Sequence, residues 1–109
     1  MKGYHLGEFE ELVMLLVANL GNRAYGLNIR DELEIQCNRT STLSAVHTTL
    51  HRLEGKGYLE SAYHKSDVKE RGGRPKLVFK LTQFGISVLD EVRQLRNTLW
   101  EGKLKSASW

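Results

Sequence analysis

The 109-residue sequence predicts a mainly α fold with one small β-hairpin, in the order helix, helix, helix, hairpin, helix. Apolar residues recur at spacings of three and four in four separate stretches, the period of a one-sided helix. Between the third and fourth of these, two short runs rich in aromatic and branched residues flank a polar loop that contains Gly-Gly. Positive charge gathers in that same region. Residues 1–40 carry four Lys or Arg against six Asp or Glu, residues 41–80 eight against four, and residues 81–109 four against three. The net charge of +3 is therefore a basic middle third rather than an even coating. Such a distribution is the electrostatic footprint of a nucleic-acid partner.

The first helix starts at Gly7-Glu8-Phe9-Glu10-Glu11, where three acids suit the positive end of the helix dipole. Phe9, Leu12, Val13, Leu16 and Leu20 form its stripe, Leu6, Leu15 and Val17 widen it, and Gly21 is the expected C-cap. A helix this apolar in so small a domain predicts a second subunit covering it. Tyr25-Gly26-Leu27 opens the second helix, with Leu27, Ile29, Leu33 and Ile35 inward and Arg30 able to pair with Glu34 four residues on. The polar run 36–42 separates it from the third helix, whose N-cap is Ser41 or Thr42. Leu43, Val46, Leu50 and Leu53 mark that helix's inner side, and Gly57 supplies a left-handed stop.

The outer side of the third helix carries Ser44, His47, Thr48 and His51, with Arg52 beside them and Thr49 nearer the core. An ordinary solvated face mixes Glu with Lys, whereas this one is hydroxyl, imidazole and guanidinium. B-DNA's major groove admits one α-helix, and these side chains can meet base edges or phosphates. Thr42, Ser44, His47, Thr48 and His51 are therefore candidates for the groove, and Arg52 for a phosphate. Strands are expected at 58–64 and 76–81. The loop between them presents Lys69, Arg71, Gly72, Gly73 and Arg74, and Lys76 follows at the start of the second strand. The two glycines let backbone amides approach a phosphate without a side chain in the way. Thr82 caps a fourth helix running to about Trp100. Phe84, Val88, Val92, Leu95 and Leu99 make its seam, and Ile86, Leu89 and Trp100 a second strip. That is more apolar surface than one small core needs, which predicts a dimer contact. Phe9, Leu12, Leu16, Val88, Val92, Leu95 and Leu99 are the candidates for it, and Trp100 either packs across the dimer or against the first helix, the favoured reading, or lines an effector slot.

This order of elements is that of a winged helix-turn-helix domain with a C-terminal dimerisation helix. The DNA-binding region spans 1–81, with its wing at 58–81. The terminal helix spans 82–102, and residues 103–109 form a fraying tail.

Four blocks of the chain also resemble the PadR family of bacterial transcriptional regulators. They are LGEFEELVMLLVANL, AYGLNIRDELE, LSAVHTTLHRLEGKGYL and ERGGRPKLVFKLTQFG, covering about residues 6–90. The most specific parts are Arg52-Leu53-Glu54-x-x-Gly57 and Arg71-Gly72-Gly73-Arg74-Pro75 with Leu81-Thr82-x-x-Gly85. The resemblance implies a homodimer joined through its C-terminal helices, with two wings and two recognition helices on a pseudo-palindromic site. It further implies repression relieved by a small effector. Many members carry Tyr where this chain has His47, and the short arm resembles members with a single terminal helix.

Other function classes find less support. His47 and His51 have the i, i+4 spacing of a zinc pair, but the Glu of a zinc peptidase is missing and so is a third ligand. Gly72-Gly73 is not a P-loop, and no Ser-His-Asp or Cys-His arrangement stands out, so no enzyme and no cofactor are expected. Cys37 is the single cysteine and suits a cytoplasmic protein. No apolar run approaches the ~18 residues of a membrane span. The competing expectation is a winged-helix module that docks a protein and never touches DNA; an acidic or apolar third-helix face would mark it.

Overall fold

In the computed structural model the described residues are 6–64 and 75–104. Helices α1 (Glu8–Leu20), α2 (Gly26–Cys37) and α3 (Leu43–Gly55) are followed by strands β1 (Leu59–His64) and β2 (Lys76–Leu81), then α4 (Gln83–Leu99). A 3₁₀ turn, Gly21–Arg23, links α1 to α2, and a π-helical turn, Trp100–Leu104, continues α4. Mainly helical with one antiparallel hairpin, this is the architecture and the element order that the periodicity predicts.

Local chemistry explains the boundaries. The Gly7 amide donates to Glu10 Oε1 at 2.9 Å, which closes the start of α1. Of the two candidate caps for α3 it is Thr42 that serves, its Oγ1 accepting from the Ala45 amide at 3.0 Å. Thr82 caps α4 in the same way through the Gly85 amide at 2.9 Å. Gly21 (φ 61°) and Gly57 (φ 82°) take the positive φ values that end α1 and carry the chain out of α3. Asn38 does the same after α2 at φ 52°.

The core forms where the stripes of α1, α2 and α3 meet. Val13, Met14, Val17, Ile29, Leu33, Val46, Leu50 and Leu53 are fully buried there with Phe79 of β2. In the hairpin Leu59 pairs with Leu81, Ser61 with Phe79 and His64 with Lys76. A further bond pins it to the helical layer, because the Phe79 amide donates to the Ala24 carbonyl at 2.9 Å. The inner strand of the hairpin is thus held by the turn between α1 and α2, and α3 is held against both.

Several expectations need correction. Leu16 and Val88, assigned to a dimer contact, are 3% and 0% exposed and belong to the core of a single chain, where a second copy cannot reach them. Ile35 is 73% exposed instead of facing inward. Leu15 at 44% lies outside the core, so α1 is buried on one side only. Arg30 pairs with its neighbour Asp31 at 3.2 Å, not with Glu34. Thr49 is buried as expected, and Cys37 packs at the edge of the core. Among the described residues no helix is long and apolar enough to cross a membrane.

Candidate nucleic-acid interface

The helical period of α3 fixes which way each of its residues turns. Val46, Thr49, Leu50 and Leu53 point inward and are buried. Ser44, Thr48 and His51 lie on the opposite side and are exposed. Two hydroxyls and an imidazole therefore occupy the centre of the free face, with the cap Thr42 exposed just before them. No acid lies among them; Glu54 sits on the flank.

The two other predicted residues of the helix are less free. His47 is half-buried, with its ring against the start of α2. A Cβ on Gly26 would come within 2.6 Å of the imidazole, so the ring rests on a backbone without a side chain. His47 then stacks on His51, with centroids 6.2 Å apart and planes 24° from parallel. His47, expected in the groove from its place on the helix, lies at the edge of the free face with its ring beside that of His51. Arg52, expected to be a free phosphate clamp, turns to the other flank and approaches Glu10 Oε2 at 3.7 Å.

Glu10 is the residue that sequence reasoning misses. Its acid position in the first turn looks like a dipole effect, and it is that, but its carboxylate also crosses to α3. Oε1 caps the Gly7 amide, while Oε2 takes the Lys56 ammonium at 3.2 Å and Arg52 beyond it. Burial pushes this carboxyl up, but the Gly7 amide, Lys56 and Arg52 pull harder, and the net shift is below the ordinary glutamate range. No periodicity could have shown this contact, since it joins residues 46 apart in the chain.

On the hairpin side Lys76 places its ammonium 4.3 Å from the centre of the Tyr25 ring. A cation and a phenol from two different elements therefore sit at the beginning of α2, next to the seat of His47. The sequence signal for Tyr25 is only its place before Gly26. His51 has its own support. Its ring meets Phe79 edge-on at 6.1 Å, and its Nδ1 lies 3.9 Å from Glu54 Oε1. The other oxygen of Glu54 accepts the Ser61 hydroxyl of β1 at 2.6 Å. Lys69, Arg71, Gly72, Gly73 and Arg74, the expected wing contacts, lie outside the described residues.

The predicted effector residue Trp100 is 67% exposed in the turn that follows α4. A groove of about 340 Å³ runs between α1 and α4, with Leu15, Ile86 and Leu89 among its lining and Glu11, Asp90, Arg93 and Arg96 beside them. Trp100 does not line it. Among the described residues no group of three or more His, Cys, Asp or Glu could hold a metal ion.

Comparison with known proteins places this arrangement. The structure is similar to that of a PadR-like transcription factor from Bacteroides fragilis, with a TM-score of 0.70 and 25% identity over 85% of this chain and 84% of that one. It is similar to a PadR family transcriptional regulator from Eggerthella lenta, with a TM-score of 0.65 and 26% identity over 93% of this chain and 88% of that one. A PadR family transcription regulator from Clostridium difficile R20291 shares the fold, with a TM-score of 0.65 and 20% identity over 85% and 92% of the two chains. Neither a family model nor a curated protein matches the sequence. The structural neighbours are PadR-family transcriptional regulators, as the four sequence blocks imply, and the chain shares their winged-helix architecture.

Proposed function

We propose that this chain is a sequence-specific DNA-binding transcriptional regulator that acts as a homodimer. The observation that carries the reading is the free face of α3, where Ser44, Thr48 and His51 stand exposed with no acid among them. Such a face can offer donors and acceptors to base edges, and it lacks the apolar or acidic character expected of the rival protein-docking module. In the proposed complex α3 enters the major groove, and Lys76 with the wing residues Lys69, Arg71 and Arg74 neutralises phosphates. Gly72 and Gly73 let the wing backbone approach. Arg52 keeps a half-exposed side chain and can exchange its long contact with Glu10 for a phosphate. Repression, and release by a small molecule that favours one dimer geometry over another, complete the proposal. The groove between α1 and α4 is the better place for such a molecule than Trp100 alone.

The test is selection of bound duplex from a random pool, followed by a titration in salt. A recovered pseudo-palindrome with half-sites about 34–36 Å apart is expected. Replacing Arg71 and Arg74 with Ala should weaken binding to all sequences and reduce the salt slope by about one for each phosphate that is no longer neutralised. Failure to retard any duplex at low salt would leave the protein-docking module as the better reading.

A further inference from the structure

We propose that the turn before α2 and the first residue of β2 form a site for the DNA backbone, in which Arg23, Tyr25 and Lys76 hold phosphates beside α3. The inference rests on the DNA-binding reading above. It gives a role to Arg23 and Tyr25, which belong neither to the free face of α3 nor to the wing loop. Charge pairing across the molecule picks the place. Among the described side chains every Lys and Arg but two is paired with a carboxylate. The two are Arg23 and Lys76. Lys76 is half-buried, with its ammonium 4.3 Å from the centre of the Tyr25 ring. Across the hairpin it pairs with His64, which brings no negative charge. The ring quadrupole attracts the ammonium but leaves its charge uncompensated. Arg23 is exposed in the same turn, two residues before Tyr25. The Tyr25 hydroxyl has no hydrogen-bond partner among the described residues.

The turn that carries these groups is held on both sides. The Arg23 carbonyl accepts from Asn28 Nδ2 at 2.9 Å, and the Ala24 carbonyl accepts from the Phe79 amide at 2.9 Å. Ala24 itself is fully buried. Gly26, the next residue after Tyr25, fixes the distance to α3, because the His47 ring lies where its Cβ would be. His47 stands between Ser44 and Thr48 along the helix, so the site borders the face that would enter the groove. A phosphodiester fits what is offered. It carries one negative charge on two acceptor oxygens, which suits a guanidinium fork, an ammonium and a phenolic O–H. Contacts of this kind carry no sequence information and fix the register of a recognition helix on the duplex. The wing strand and the turn before α2 thereby grip the backbone together, and α3 is set in the groove by that grip.

The experiment titrates salt against affinity for two duplexes, one recovered by random-pool selection and one of unrelated sequence. Arg23→Gln and Lys76→Gln should each reduce the salt slope by about one on both duplexes. Lys80→Gln is the control, since Lys80 lies four residues along the same strand and already pairs with Glu60 at 3.6 Å. It should leave the slope unchanged. Tyr25→Phe keeps the ring under Lys76 and removes only the hydroxyl. It should weaken binding about threefold to tenfold, the scale of one hydrogen bond, by the same factor on both duplexes and with the slope intact. An unchanged slope in Arg23→Gln or Lys76→Gln would overturn the inference, as would an equal loss of slope in Lys80→Gln. A Tyr25→Phe protein that binds like the wild type, or loses affinity for the selected duplex alone, would overturn it as well. Each of these results leaves wild-type binding in place and sinks this inference alone, whereas a wild type that retards no duplex at low salt sinks the DNA-binding reading with it.

Discussion

Glu10 does three jobs with one carboxylate, and its removal separates them. The Gly7 amide, the Lys56 ammonium and the Arg52 guanidinium converge on a side chain that is only 11% exposed. Because its pKa is lowered in the folded chain, the unfolded chain binds the proton more readily. The stabilisation is therefore complete above the ordinary glutamate value of 4.5 and disappears as the pH falls through the lowered folded value. Glu10→Gln should cost about 1–2 kcal/mol at neutral pH, the scale of a charge-assisted hydrogen bond, and should flatten the acid limb of the stability profile. Urea unfolding of both proteins at pH 7 and pH 4 measures this. An equal stability difference at the two values would mean that the carboxylate charge contributes nothing. In the sequence Glu10 is a dipole acid and Arg52 a free clamp; only folding brings the two to one place, because helix period specifies a face and not the neighbour across from it.

At the scale of an element, α4 is positioned by a very close approach at its first turn. The Thr82 hydroxyl donates to the Gly57 carbonyl at 2.6 Å and accepts from the Gly85 amide, while the Thr82 amide donates to the Tyr58 carbonyl at 3.0 Å. This draws Gly85 so near the start of β1 that a Cβ there would lie 2.1 Å from the Tyr58 oxygen. The clash is with backbone and has no side chain to turn aside. Gly85→Ala should cost about 1–3 kcal/mol despite the better helix propensity of alanine, since overpacking outweighs a gain of ~1 kcal/mol. A thermal midpoint at or above the wild-type value would show that α4 slides freely on the hairpin. The motif Leu81-Thr82-x-x-Gly85 is visible in the sequence, and so are the four helices, the hairpin and the caps, because each is written in residues within a few positions of one another. The reason for Gly85 is not visible there, since the atom that excludes a side chain belongs to Tyr58. Nor is the seat of His47, which depends on a glycine in another helix. On α3 the period correctly separates Ser44, Thr48 and His51 from the core, and it cannot tell which flanking residues a neighbouring element will claim.

For the whole molecule, shape and surface point the same way. The radius of gyration is 16.4 Å, where a compact chain of this length would have about 13 Å, and the long axis reaches 61 Å against 29 and 21 Å across. The excess is consistent with a terminal helix that runs past the core. Its first half is held by the buried Gly85 and Val88, and the Arg96–Glu11 pair at 3.0 Å ties its second half to α1. Beyond the core, Leu95 and Leu99 are each more than half exposed, one helical turn apart, with Trp100 next to them. A lone chain gains nothing by presenting that strip to water, and burying a leucine side chain is worth about 1.5–3 kcal/mol. A second copy contributing the same strip would cover both and would fix the distance between two α3 helices, the geometry that a two-half-site duplex requires. Leu95→Glu with Leu99→Glu leaves every core residue untouched, so the domain should fold with unchanged helix content. Sedimentation should show the wild type as a dimer and this variant as a monomer. Its affinity for the full site should fall towards that for a single half-site, because the second half-site is no longer tethered to the first. A variant that remains dimeric would move the interface off this strip, and a wild type that sediments as a monomer would remove the dimer from the proposal.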